Sequence, residues 1–251
     1  MRMKAIVEYD GSNFAGFQNQ LGQRTVQGVM EEALSRKLAQ PISIAGAGRT
    51  DSGVHALGQV VSWDCKTSIP QDRLTKVMNS VLPPDVAFKR VDSAEPEFHA
   101  RFSASSRVYL YLILHSPVSS PLLSRYTALS IEKLNLSAMQ EAAIGLLGEK
   151  DFSSFTNCLD PGQKTNREVL SCKIGVWGPL ILIRIEANAF LRGMVRSIAG
   201  TLIEVGSGKR DPESISQLIE ARKRSLAGPT APAKGLCLLR VHYGLRKEYP
   251  R

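Results

Sequence analysis

No apolar run in the 251-residue chain approaches the roughly 20 residues that span a bilayer. The longest, around Leu180–Ile183, is strand-sized, so no transmembrane helix is expected. The opening Met-Arg-Met-Lys-Ala-Ile-Val-Glu-Tyr meets charge too early for a signal peptide, and a cytoplasmic address is the expectation. Cysteine is scarce: Cys65, Cys158, Cys172 and Cys237 are far apart and form no CxxC pair. Thiols so scattered read as reduced and structural. His55, His99, His115 and His242 show neither HxxxH nor mixed Cys/His spacing, so no zinc site is expected. No internal repeat is visible. Hydrophobic residues make up 43% and charged residues 22%. Those values exclude the disordered and fibrous classes.

What is present in excess is positive charge, +9 in total. Residues 1–100 hold 11 Lys+Arg and 11 Asp+Glu and are neutral, while residues 101–251 hold 21 and 12 and carry the whole surplus. Such asymmetry suits a polyanion lying against the second half, although solvated lysines would give the same count.

Patterning divides the chain near residues 98–106. In the first part Lys4–Tyr9 is a β-prone run, and Thr25 is an N-cap candidate for a helix carrying Val26, Val29, Met30, Ala33, Leu34 and Leu38 at helical spacing. Strands follow at 43–47, 59–65 and 86–91, with a helix at 71–81, giving the order β-α-β-β-α-β. In the second part a strand is expected at 107–115 and an amphipathic helix within 130–147. A hairpin over 168–187 turns at Trp177-Gly178-Pro179. Helices at 190–205 and 212–222 and a closing strand at 235–243 complete it. Segments 116–125 and 157–166 read as loops, and the basic tail Arg246–Arg251 as mobile. This is an α+β class, expected as two similar subdomains, 1–103 and 104–251, each a mainly antiparallel sheet with helices on one face in the RRM or ferredoxin-like manner, with an active-site cleft between them.

Three segments could carry chemistry. Gly48-Arg49-Thr50-Asp51-Ser52-Gly53-Val54-His55 places a guanidinium and a carboxylate in a small-residue loop between strands. An ionised Asp held there can act as nucleophile or base, or merely stabilise a turn. In the strand from Arg107, alternation puts Arg107, Tyr109, Tyr111 and Ile113 on one face and Val108, Leu110, Leu112 and Leu114 on the other, expected to bury against helices. A cation beside two phenols suits base stacking, or the phenols are packed strand residues. The segment 190–203 carries an apolar stripe, two arginines (Arg192, Arg196) and a bare strip of Gly193, Ser197 and Gly200. Glycines inside a helix cost about 1 kcal/mol each, so something approaches the backbone there, a sheet or a substrate. The runs Gly208-Lys209-Arg210 and Arg222-Lys223-Arg224 could grip phosphates or cap helices as solvated ends.

In this order the motifs resemble the tRNA pseudouridine synthase A family over nearly the whole chain. The blocks are Tyr9-Asp10-Gly11 with Gly16-Phe17-Gln18 and Thr25-Val26-Gln27; Gly48 to Ala56; Phe98-His99-Ala100-Arg101-Phe102-Ser103-Ala104; Arg107 to Tyr111; Gly148 to Phe155; Phe190 to Gly200; and Ala227 to Ala233 with Gly235-Leu236. Phe17 stands where the family usually has Trp, Phe14 near a usual Tyr, and Cys237 where an aromatic is common. The resemblance implies that Asp51 is the catalytic residue, Tyr109 the active-site tyrosine and Arg196 the active-site arginine. Arg49, Arg101 and Arg107 are further candidates for holding substrate. It implies an isomerase converting uridine to pseudouridine in the tRNA anticodon arm, at positions usually numbered 38, 39 and 40, working as a homodimer. The reaction needs no redox change and no outside atom, so neither cofactor nor metal is implied. A related synthase with other target uridines and a non-catalytic RNA-binding module are the alternatives. The module reading leaves the Arg49–Asp51 loop unexplained and finds no Lys/Arg-Gly-Phe-Gly-Phe run.

Overall fold

The computed structural model describes residues 1–159 and 162–244, so the tail expected to be mobile lies outside the described residues. Two compact units form: Met1–Ser105 with the segment from Leu238, and Ser106–Cys237. Each is α+β.

The first unit follows the β-α-β-β-α-β order as β1 (Arg2–Tyr9), α1 (Val26–Leu38), β2 (Ala45–Gly46), β3 (His55–Asp64), α2 (Gln71–Asn79) and β4 (Val86–Ser93). Strand β1 lies between β3 and β4, antiparallel to both, with Ala5 opposite Val61 and Val91. Alternate residues Met3, Ala5, Val7 and Tyr9 are buried, as a two-residue period requires. Helix α1 starts where its cap predicts: Thr25 Oγ1 accepts the Gly28 N–H at 3.2 Å. It buries Val26, Met30, Ala33 and Leu34, and α2 buries Leu74 and Met78. Side chains of this size contribute about 1.5–3 kcal/mol each when buried.

Two strands differ from expectation. The run 43–47 is a strand only at Ala45–Gly46, with one more bond from the Ala47 N–H to the Val60 carbonyl at 2.8 Å, because Glu31 Oε1 takes the Ile44 N–H at 2.8 Å and Gln27 Nε2 donates to the Ile44 carbonyl at 3.2 Å. Strand β3 begins at His55 rather than at 59. It runs through Gly58, where a Cβ would stand 2.5 Å from the Leu239 carbonyl oxygen, so only glycine admits the neighbouring strand.

In the second unit β5 (Ala104–His115), β9 (Leu180–Ala187), β8 (Asn166–Trp177) and β7 (Gly148–Asp151) pair in that order, with β6 (Ala128–Ser130) parallel to β5. The β8–β9 hairpin turns where expected, through Gly178 at φ +55. Helix α3 (Leu136–Ile144) packs against β8, α4 (Met194–Gly206) and α5 (Ser214–Ala221). Strand β10 (Leu236–Tyr243) closes the chain; from Leu238 it counts with the first unit, beside β3.

Both faces of β5 are largely interior. Tyr109, Tyr111 and Ile113 are buried, opposite Ile185, Ile183 and Ile181 of β9; on the other face Val108 and Leu114 are buried as expected, while Leu110 and Leu112 are half-buried. The tyrosine face is interior because the Tyr111 ring lies where Gly235 has no side chain, and its hydroxyl donates to the Pro232 carbonyl at 2.9 Å. Helix α4 also starts later than its periodicity suggests. Gly193 at φ +71 is left-handed, which leaves Phe190–Arg192 in the preceding turn.

Candidate active site

The loop 48–55 is fixed on all sides by the first block of the chain. Tyr9 Oη and Thr50 Oγ1 share a buried hydrogen bond of 2.8 Å. The Phe17 N–H donates to the Thr50 carbonyl at 3.0 Å, and Ser52 Oγ donates to the Phe14 carbonyl at 3.0 Å. Gln59 Nε2 donates to the Gly48 carbonyl at 2.8 Å, and within the loop the Val54 N–H donates to the Asp51 carbonyl at 3.2 Å. Two glycines permit the fit: a Cβ on Gly11 would overlap the Val54 carbonyl, and one on Gly16 would stand 2.9 Å from the Thr50 carbonyl oxygen.

Each such bond contributes about 0.5–1.5 kcal/mol net. Their larger effect is to hold the Asp51 backbone in one place, which a reacting side chain requires. The brace is itself anchored. Arg24 makes a bidentate pair with Asp85 at 2.8 and 2.9 Å and lies over the Phe14 ring, 4.1 Å from its centroid. That bonding raises the Arg24 pKa further.

His55 belongs to the same brace. Its Nδ1 accepts the Gly11 N–H at 3.1 Å and lies 3.2 Å from Asp10 Oδ1. Nδ1 can accept from Gly11 only when it carries no proton. The bracing role of Tyr9, Asp10, Gly11, Gly16 and His55 was not read from their types. The only signal was their place in the first and second motif blocks.

Asp51 is half-buried on this loop and Arg49 is exposed on it. Phe14 and Phe17 are each 2% exposed, so both rings pack inside the first unit. Arg101 is exposed in the same unit, its guanidinium 5.6 Å from the centre of Phe102. Phe102 is 76% exposed, with the His99 ring 4.4 Å away. An exposed aromatic beside a cation has the chemistry on which an unpaired base can stack. Phe102 was not singled out from the sequence.

The remaining candidates lie in the second unit. Tyr109 on β5 is 7% exposed and meets Phe190 edge-on at 5.1 Å and 87°. Arg196 on α4 is half-buried; its Nε donates to the Ala231 carbonyl at 2.8 Å, and its own carbonyl accepts the Ala231 N–H at 3.1 Å. Burial pushes the Tyr111 hydroxyl pKa up, with the Arg196 charge opposing, so Tyr111 stays protonated. Arg107 is 8% exposed and donates to the Asn188 carbonyl at 2.8 Å, an interior anchor for the end of β9.

Gly200 answers the question of close approach. A methyl group there would overlap the Pro229 carbonyl oxygen, so the bare strip receives a segment of the same chain. Members of the basic runs pair with carboxylates of the same unit, Lys209 and Arg222 while still exposed. Arg210 pairs with Glu204 at 3.0 Å, Lys209 with Glu132 at 3.0 Å and Arg222 with Asp151 at 3.3 Å. Among the described residues no helix is long and apolar enough to cross a membrane.

Comparison with known proteins agrees with the motif order. The family described as tRNA pseudouridine synthase matches residues 5–103 and 142–244. A protein of Syntrophomonas wolfei named tRNA pseudouridine synthase A is 43% identical over 242 residues, covering 96% of this chain and 97% of its own. Proteins of the same name from Pseudothermotoga lettingae and Geobacillus kaustophilus are 43% and 42% identical over 243 residues, covering 96% of this chain and 99% and 94% of theirs.

Proposed function

The chain belongs to the tRNA pseudouridine synthase family, and on that premise we propose that it isomerises uridine to pseudouridine in the anticodon arm of tRNA, with Asp51 acting on the ribose of an extruded nucleotide. The observation that carries this reading is near-full-length similarity to proteins named tRNA pseudouridine synthase A, joined to a single carboxylate on a loop braced from both sides.

The reaction breaks the N1–C1′ bond, turns the freed uracil, joins C5 to C1′, moves the C5 proton off and leaves N1 protonated. Atoms and electrons balance within the substrate. Taking the base out of its stack costs a few kcal/mol, least in an unpaired loop. Asp51 attacks C1′ or abstracts the C2′ proton to give a glycal; both need an ionised carboxylate held still. Tyr109, set by Phe190, borders the uracil, and it or a water removes the C5 proton. Arg49 pairs electrostatically with Asp51, and Arg196 helps hold the flipped nucleotide. Arg101 beside Phe102 contacts RNA, and Arg107 supports the tyrosine face from inside. The targets are positions 38, 39 and 40, and the working form is a cytoplasmic homodimer. Several neighbouring targets imply that shape of the arm, more than one base sequence, is read.

Asp51→Ala tests the reading. Tritium release from tRNA carrying 5-tritiated uridine should vanish, while tRNA affinity stays within about tenfold, since phosphates supply most of it. Appreciable residual turnover removes Asp51 from the mechanism.

A further inference from the structure

The segment 226–232 has almost no ladder bonding of its own, yet its carbonyls and side chains are caught one after another by the rest of the second unit. Arg210 Nη2 donates to the Leu226 carbonyl at 3.0 Å. Arg224 spreads its guanidinium over three acceptors: Nη1 to the carbonyls of Gly228 at 2.9 Å and Ala227 at 3.3 Å, and Nη2 to Thr230 Oγ1 at 2.9 Å. From α4, Thr201 Oγ1 accepts the Gly228 N–H at 3.0 Å while donating to the Ser197 carbonyl at 2.8 Å. Gly200 gives the Pro229 carbonyl room to lie on the helix. The segment then meets Arg196 through two bonds, the 2.8 Å Nε contact to the Ala231 carbonyl and the 3.1 Å Ala231 N–H contact to the Arg196 carbonyl.

We infer that Arg224 is a positioning residue for Arg196, acting through segment 227–231, whose Ala231 carbonyl sets the plane of the Arg196 guanidinium. The inference rests on the proposed role of Arg196 at the flipped nucleotide. An arginine has a limited number of orientations once Nε is bonded, because the five donors lie in one plane. The acceptor that chooses the orientation sits on an irregular segment, and an irregular segment stays in place only as long as its anchors do. Arg224 supplies three of those anchors from one planar fork, a geometry that lysine, a point charge with three rotating donors, does not reproduce. The basic character of residues 222–224 is therefore divided. Arg222 reaches Asp151, Lys223 is exposed, and Arg224 faces its own chain.

The test is a double-mutant cycle in the full-length protein, reading single-turnover tritium release and tRNA affinity. Arg224→Gln should lower the rate about tenfold or more, as small displacements of a reacting group do, with tRNA affinity within about threefold. In an Arg196→Gln background the same change should cost less than about twofold, because the group it positions is already gone. Arg224→Lys should recover only part of the rate. A further loss in the Arg196→Gln background equal to that in the parent, or a parent-like rate for Arg224→Gln, overturns the inference while leaving the proposed role of Arg196 standing. A parent-like rate for Arg196→Gln overturns both. Should Arg224→Gln fail to fold by circular dichroism, Thr201→Val, nearly isosteric and lacking the acceptor for Gly228, replaces it in the same cycle with the same expected non-additivity.

Discussion

Gly16 offers the sharpest perturbation of the Asp51 loop that leaves Asp51 itself untouched. It sits at φ +106, and a Cβ there would stand 2.9 Å from the Thr50 carbonyl oxygen, 3.4 Å from the Ser52 nitrogen and 3.5 Å from the Asp51 carbonyl carbon. Reaching ordinary contact at 3.4 Å needs about 0.5 Å of movement, and the atoms that must move belong to the loop. Misplacement of a reacting group by 1 Å costs about a hundredfold, so half of that costs about tenfold if the effect scales logarithmically.

Gly22 separates this displacement from backbone strain. It is also left-handed, at φ +72, but a Cβ there meets nothing within 4 Å. Gly22→Ala should therefore cost only the strain, about 1–2 kcal/mol, or roughly 2–8 °C of melting temperature in a chain this long. Its turnover should match the parent. Gly16→Ala should lose similar or greater stability and, in addition, slow single-turnover tritium release about tenfold, with tRNA affinity unchanged. If Gly16→Ala reacts within twofold of the parent, or if Gly22→Ala is equally slow, the brace does not set the position of Asp51.

Two further outcomes follow from titrating groups. Partial burial of the Asp151 carboxyl raises its pKa, but bonds from Ser153 and Thr165 together with the charge of Arg222 outweigh that and leave it depressed. A depressed carboxylate stabilises the fold above its unfolded value, about 3.9, and that contribution is lost as pH falls through the folded value. Asp151→Asn should thus be less stable than the parent by a constant amount near neutrality, the gap closing below about pH 4; urea titrations that keep the gap open to pH 2 would contradict this. Among the thiols, Cys158 is exposed and Cys65 buried, and burial raises the pKa of Cys65 and pushes that of Cys172 up to about 12. Iodoacetamide at pH 8 should label Cys158 first, the partly buried Cys172 more slowly and Cys65 only on unfolding; peptide mapping that finds Cys172 labelled as fast as Cys158 would refute the assignment.

Most of the element order and the Thr25 cap were legible because both depend on local signals, a two- or 3.6-residue period and an oxygen one residue before a helix; β6 and β7, of three and four residues, were too short to show a period and were missed. The misread features share a different origin. Periodicity runs unbroken from Phe190 into α4, and only the left-handed Gly193 decides where the helix begins. The 43–47 strand looks sound by type but loses its ladder to Glu31 and Gln27, side chains of the preceding helix. The tyrosine face of β5 turned inward because Tyr111 finds its acceptor at Pro232, 121 residues away. Arg210 and Arg224 look like surface charge until Glu204, the carbonyls of residues 226–228 and the Thr230 hydroxyl appear as partners. In each case the deciding atom lies outside any window a local pattern can see.

That same non-local bonding bears on how such an isomerase gains rate. Its reaction exchanges bonds within one nucleotide, so beyond the attack or proton abstraction proposed for Asp51 the protein contributes orientation, electrostatics and exclusion of water. Phosphate contacts supply affinity and are insensitive to half an ångström. The group proposed to act on the ribose is not. The backbone of Asp51 is held by bonds from residues 9–17, and the Nε of Arg196 by a carbonyl 35 residues later in the chain. Substitutions in these braces should lower the rate at constant affinity. Substitutions at exposed cations such as Arg101 should instead lower affinity and flatten its dependence on salt by about one unit per lost phosphate contact. The two kinds of residue are thus distinguishable by experiment even though both are remote from the bond being broken, because rigidity and charge act on different steps.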